Sequence, residues 1–277
     1  MSQQVLLCPP TYFDVVDSKN PYMSGKTPVN RKKAQEQWDG LCASLRHCGC
    51  EVETITPVPG LEDMVFAANP GFVGSSKKTG KFVVPSHMVH ASRQREVAHY
   101  LEWYRQRGYR VIDLDLGPER LEGHGDAIWH PGVSRVYVGY GFRTTRGGAE
   151  KLASQMTTMA VQAVVLQLVD PWCYHLDTSL CPLNSEAVLI YPGAYSVESL
   201  DRLRPHWKRV YELTEDEARG FMGNGIVAGG HYITPHITPH LEAMLRQEGL
   251  TSLVVDTSEF EKSGGSCFCM KAFLPED

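Results

Sequence analysis

Apolar residues recur first with helical spacing and then with strand-like spacing, five times along the chain. The first helix is predicted from about Pro28 to Cys48. Ala34, Trp38, Leu41 and Leu45 keep one face, Pro28 suits an opening turn and Gly49 a C-terminal stop. A strand-like run, Glu51 to Thr56, follows. A second helix covers roughly Arg93 to Arg107, with Val97, Leu101 and Tyr104 on one face, and gives way to a strand from Arg110 to Leu114. A third, about Gly148 to Val161, precedes the apolar run Ala163 to Val169. A fourth, Val197 to Arg204, leads to Arg209–Leu213. A fifth, capped by Thr238 and opening at Pro239, ends before Gly249 and leads to Ser252–Asp256.

The five strands begin near residues 51, 109, 163, 209 and 251. A recurrence of about fifty residues points to a radially repeated architecture, whereas simple alternation would suit any α/β chain. No low-complexity linker divides the chain, so a single domain over residues 1–277 is expected. The polar, Gly-rich stretch Gly71–Lys81 reads as a surface turn.

Composition narrows the function classes. The chain has 277 residues, 42% hydrophobic and 21% charged, with a formal net charge of −5. That is ordinary globular composition with no basic excess, which argues against nucleic acid and against an anionic membrane surface as partner. No apolar run approaches the about 18 residues of a bilayer span. The opening Met1-Ser2-Gln3-Gln4 lacks the basic and apolar regions of a signal peptide, so a cytoplasmic setting with the eight cysteines as thiols is expected. There is no CxxC pair. His231, His236 and His240 invite a metal, but the Thr-Pro before His240 is better explained as a helix start, and no metal or organic cofactor is expected.

Four clusters carry candidate chemistry, each following one of the repeat strands. Asp63–Gly71 is a short apolar run ending in Asn69 before Pro-Gly, a pattern that an ordinary Asn-Pro turn also explains. In Leu121–Asp126 two glycines bracket a histidine, which lets the backbone approach a ligand and brings Glu122 and Asp126 near one site; solvated loop charges are the plainer alternative. In Tyr174–Thr178, His175 and Asp177 would share a strand face, a general acid/base beside an anionic binding group or else a structural pair. In Glu261–Met270 a cysteine after a Gly-rich turn, at the start of an apolar strand, is placed as a nucleophile, although buried cysteines are usually inert.

Cysteine, histidine, glutamate and Asp/Asn groups spread over separate repeats resemble the guanidine-modifying, or pentein, superfamily. The resemblance covers nearly the whole chain. Leu7–Asp14, Asn20–Gly25, Asp63–Asn69, Gly139–Arg143, Tyr174–Thr178, Cys181–Leu183 and Tyr191–Gly193 look like the arginine dihydrolases of cyanobacterial type, and the chain also resembles the dimethylarginine dimethylaminohydrolases. The implied fold is a five-bladed α/β propeller of ββαβ units with pseudo-fivefold symmetry.

By this resemblance Cys269 matches the nucleophile, in a Gly-Gly-Ser-x-x-Cys-Met context, with Cys267 as the competing thiol. His175 matches the acid/base, Glu122 the acidic partner that helps hold the guanidinium, and Asp177 the second guanidinium-binding carboxylate. Asn20, Asn69, Arg93, Asp126 and Arg143 fall at substrate-contact positions, the arginines suiting a substrate carboxylate. Deiminases and dimethylarginine hydrolases carry Asp where Asn69 stands, whereas dihydrolases carry Asn. A neutral amide can bond both a guanidinium and an uncharged ureido group. The resemblance therefore implies hydrolysis of L-arginine to ornithine, ammonia and carbon dioxide. Alternatives are a dimethylarginine hydrolase, a deiminase stopping at citrulline, an amidinotransferase, and a non-catalytic arginine sensor. The only partner implied is the small-molecule substrate, and a homo-oligomer is left open.

Overall fold

The computed structural model describes residues 2–25 and 28–275 and contains five three-stranded sheets. In chain order the elements open with β1 (Gln4–Leu7), helix Arg31–His47 and β2 (Glu51–Thr54). The second unit is β3 (Gly71–Ser76), β4 (Gly80–Pro85), helix Ala91–Gln106 and β5 (Arg110–Val111). The third is β6 (Ala127–Trp129), β7 (Arg135–Tyr140), helix Arg146–Thr158 and β8 (Gln162–Gln167). The fourth is β9 (Leu180–Pro182), β10 (Ala187–Ile190), helix Val197–Leu203 and β11 (Arg209–Glu212). The fifth is β12 (Ile226–Ala228), β13 (His231–Thr234), helix Pro239–Gln247 and β14 (Thr251–Val254). Last comes β15 (Lys271–Phe273), which pairs antiparallel with β1.

Each sheet has one plan. An inner strand pairs antiparallel with the middle strand, and the chain crosses through a helix to a third strand parallel to the middle one. The first unit is assembled from both ends of the chain, β15–β1–β2, so the two terminal segments close the ring. This is the radially repeated plan that the spacing predicts, and the five-bladed α/β propeller of ββαβ units that the resemblance implies.

The predicted helices stand within a few residues of their expected limits. Helix Arg31–His47 starts later than expected because Asn30, not Pro28, caps it, accepting from the Lys33 N–H at 3.1 Å. Ala34, Trp38, Leu41 and Leu45 are buried against β1, β15 and the Phe260 region. The strand expected to reach Leu114 stops at Val111, since only Phe82 and Val83 of β4 pair with it.

The surface turn expected at Gly71–Lys81 is instead a hairpin, β3 and β4. A Cβ on Gly74 would lie 2.4 Å from the Trp129 ring, so this glycine serves close packing between units. Among the described residues no helix is long and apolar enough to cross a membrane.

Candidate active site

The loops that lead into the five inner strands converge at one end of the ring. Asn69 stands two residues before β3, Asp126 one before β6, Asp177 three before β9, Asn224 two before β12 and Cys269 two before β15. Pseudo-fivefold symmetry thus gathers one polar group per unit around a common axis.

Cys269 belongs to the turn preceding β15 rather than to the strand itself. It is 3% exposed and lines a narrow cavity with His175, Asn20, Asn69, Arg93 and Arg143. Its Sγ–H donates to Asp177 Oδ2 at 3.1 Å, and Asn224 Nδ2 donates to the sulfur at 3.2 Å. Asn224 also donates to the Asp177 carbonyl at 2.9 Å and accepts from the Cys269 N–H at 3.3 Å, tying the two loops together. Cys267 is fully buried, contacts Ser266 and does not line the cavity. A continuous strand would set Cys267 and Cys269 on one face, but residues 267–270 form a turn and the two thiols part.

His175 and Asp177 likewise reach the site by a different geometry from the expected strand. His175 precedes a 3-10 turn, Leu176–Thr178, and its ring faces the cavity while Asp177 curls behind the sulfur. His175 Nε2 lies 2.8 Å from Glu122 Oε2. That carboxylate also accepts from Arg143 at 3.0 Å, and its second oxygen accepts from the Val89 N–H at 3.0 Å. Glu122 is fully buried with both oxygens engaged, so it holds the imidazole and Arg143, not a substrate guanidinium as the resemblance implies.

Asp126 does not reach the cavity as its assignment to substrate contact requires. Its oxygens accept from Thr144 Oγ1 at 2.7 Å and the Leu176 N–H at 3.1 Å, which anchors the turn carrying His175. His124, between its two glycines, points away: the Val73 N–H donates to its ring, which packs at a tilt against Phe72.

Arg93 lines the cavity, yet its guanidinium is already bonded to Glu96, to Asn69 Oδ1 at 3.0 Å and to two backbone carbonyls. It therefore orients the Asn69 amide, and its charge is met by Glu96 rather than left for a ligand carboxylate. Asn69 Nδ2 has no partner among the described residues, nor has Asp177 Oδ1. Both are buried polar atoms that a bound molecule could satisfy. Gly125 makes this possible, because a Cβ there would lie 2.3 Å from Asn69 Nδ2 and 3.2 Å from the His175 ring.

At the mouth Asn20 donates to the Ser263 carbonyl at 2.9 Å, above Gly264, whose φ of +83° lets the chain pass beneath it. Arg143 donates to the Lys19 carbonyl at 2.9 Å and stacks on Tyr174. Lys19 pairs with Asp63 at 3.0 Å and with Asp17.

Electrostatics divides these acids. Burial opposes ionisation of Glu122, but Arg143 and the His175 hydrogen bond outweigh it and hold the group well below the usual carboxylate range. Burial raises Asp126 to about 6 and Asp177 to about 7, against the contacts that favour their charged forms. Burial and then the neighbouring Asp177 charge push the Cys269 thiol well above its ordinary value. Without a ligand the thiol keeps its proton. A planar cation between the sulfur and these carboxylates would reverse that preference.

Sequence reasoning missed Asn224 and Lys19. Asn224 was legible in principle: Gly223-Asn224-Gly225 occupies, before β12, the position that Asn69-Pro70 occupies before β3. Lys19 belongs to no regular element and gave no periodic signal.

A buried thiol clasped by a carboxylate and an amide, with an imidazole–carboxylate couple across the same cavity on a five-bladed propeller, defines a guanidine-modifying enzyme of pentein type. A family model for eukaryotic N,N-dimethylarginine dimethylhydrolase matches residues 14–274. The dimethylarginine dimethylaminohydrolase of Mycobacterium tuberculosis is 31% identical over 97% of this chain and 84% of its own length. The bifunctional arginine dihydrolase/ornithine cyclodeaminase AgrE of Nostoc sp. is 34% identical over 98% of this chain, but the chain spans only 38% of that relative. The N-terminal domain of ArgZ, a cyanobacterial arginine dihydrolase, solved as a substrate-bound cysteine-to-serine variant, superimposes with a TM-score of 0.89. It is 30% identical, covering 99% of this chain and 98% of that domain. The chain belongs to the dimethylarginine dimethylaminohydrolase family of guanidine-modifying hydrolases.

Proposed function

We propose that the protein hydrolyses the guanidino group of L-arginine through a covalent Cys269 adduct and carries the reaction through to ornithine, ammonia and carbon dioxide. The observation that carries the two-step reading is the Asn69 amide. Its Nδ2 is buried, unpartnered among the described residues and held toward the cavity by Arg93. An amide N–H suits the oxygen of a ureido group, which a carboxylate at that place would repel.

In this reading the guanidinium lies beside Asp177 and Asn69, and its charge helps Cys269 ionise. The thiolate attacks the guanidinium carbon, His175 delivers a proton to the departing ammonia, and the bond to that nitrogen breaks. His175 then takes a proton from water as its oxygen attacks the same carbon and expels the thiolate, leaving citrulline. A second round on the ureido carbon expels the ornithine amine, and water completes the release of ammonia and carbon dioxide. Glu122 keeps the imidazole oriented. Arg143 exchanges its bond to the Lys19 carbonyl for the substrate carboxylate. The cavity, about 20 Å³, admits roughly one water, so the segment bearing Lys19 and Asn20 must move outward to admit arginine.

The test is incubation with arginine and analysis of products over time. Ornithine without accumulating citrulline is expected. Citrulline as end product would replace this reading with a deiminase. The family match supports a second reading, hydrolysis of dimethylarginine, for which dimethylamine release with arginine left intact is the signature.

A further inference from the structure

A second cavity, about 510 Å³, lies among the inner strands, and all five units contribute to it: Val73 from β3, Trp129 from β6, Pro182 from β9, Ile226 from β12 and Lys271 from β15. Its volume falls within the range of small-molecule sites, and its walls are mostly apolar. It is separate from the catalytic cavity. The run Phe268–Lys271 divides the two, with Cys269 facing the catalytic side and Phe268 and Lys271 facing the axial one.

Lys271 is the feature that points to a ligand. It is 2% exposed, and no carboxylate or hydrogen-bond acceptor meets its ammonium among the described residues. Nζ lies instead over the rings of Phe268, at 3.2 Å, and Phe273, at 4.4 Å. Other groups lining the cavity do not supply the missing charge. Burial lowers His124 to about 3, and its ring nitrogens are taken by Val73 and Ala127. Asn184 is bonded to Glu248. Burial also lowers Lys271 to about 7, outweighing the acidic groups Cys181, Asp177 and Cys269, which favour the ammonium from a distance without bonding it.

We propose that the axial cavity binds a small amphipathic monocarboxylate, whose anionic head pairs with Lys271 and whose hydrocarbon body fills the space between the inner strands. The apolar walls disfavour a compact, heavily hydrated anion such as phosphate, because nothing there replaces its water. A carboxylate on an apolar chain matches both features: one charge-assisted contact at the amine and apolar burial elsewhere.

The test is calorimetric titration of the full chain with octanoate, octan-1-ol and octylammonium. Trp129 fluorescence provides a second readout from the cavity wall. One saturable octanoate site is expected, with octanol at least tenfold weaker and octylammonium silent. Lys271→Met should weaken octanoate at least tenfold. Val227→Trp, which fills the cavity and keeps the amine, should abolish binding and covers the case in which the lysine variant does not fold. Cys269→Ala should bind octanoate as the parent does, placing the ligand outside the catalytic cavity. Absence of saturable binding to the parent, equal affinity for octanol, or octanoate binding unchanged in a folded Lys271 or Val227 variant would overturn the proposal.

Discussion

Replacing Asp177 by Asn should make the protein more stable and nearly inactive, and the stability gain should depend on pH. The carboxyl is fully buried, with one oxygen on the Cys269 thiol and the other unpartnered among the described residues. Burial lifts it from 3.8 to about 7. Between those values the folded chain keeps a proton that the unfolded chain has released, so this group's contribution to stability falls as pH rises through that window. At pH 8 the full shift is expressed. At 1.36 kcal/mol per unit it comes to about 4 kcal/mol of destabilisation. An asparagine carries no charge but still leaves one polar atom unbonded, at about 1–3 kcal/mol. The net gain is then about 1–3 kcal/mol, or about 2–6 °C in melting temperature for a chain of this size. Thermal melts of both proteins at pH 8 and pH 4 measure it. The gain should be present at pH 8 and be gone by pH 4, where the folded aspartate is neutral and the unfolded one, at 3.8, is only about half ionised, so little of the charge penalty remains. A variant that melts below the parent at pH 8, or a difference that ignores pH, would refute the account of a strained carboxylate held for function. Turnover should fall at least a hundredfold, because the substrate cation loses its charged neighbour.

Other expectations follow from the same geometry. Cys269→Ser should abolish turnover of arginine while Cys267→Ser retains it, read by product formation; the reverse would exchange the two thiols. Alkylation of Cys269 by iodoacetamide in the ligand-free protein should still be accelerating past pH 9, since burial and Asp177 keep the thiol protonated at neutrality; a plateau near pH 7 would show a preformed thiolate. Gly125→Ala should lower kcat/KM by about a hundredfold with little change in melting temperature, because the new methyl displaces Asn69 and His175. Glu96→Gln should destabilise the fold by about 3–5 kcal/mol, measured by denaturant titration, since it leaves the Arg93 charge buried without its partner.

The sequence alone determined the outer frame. Helical periodicity in Ala34–Leu45 or Val97–Tyr104 survives because one long face must be buried whatever lies beneath it, and the five helix-to-strand steps set the fivefold plan. The residue types at Cys269, His175, Glu122 and Asn69 were legible from their glycine- and proline-marked loops and from likeness to known enzymes. The inner strands were not. β6, β9, β12 and β15 are three residues long, too short for alternation to register, and the glycines of β3 read as a turn until Trp129 from the next unit is set against them. Tertiary structure alone decided the side-chain assignments within the site. Asp126 and Glu122 differ by four positions, yet one anchors a backbone turn and the other holds the imidazole, because each loop's curvature aims its carboxylate differently. Asn224, from a separate unit, becomes part of the thiol's surroundings only when the ring closes. The physical reason is that chemistry here is shared among groups far apart in the chain, joined by a closure made between β1 and β15, and no local pattern encodes those meetings.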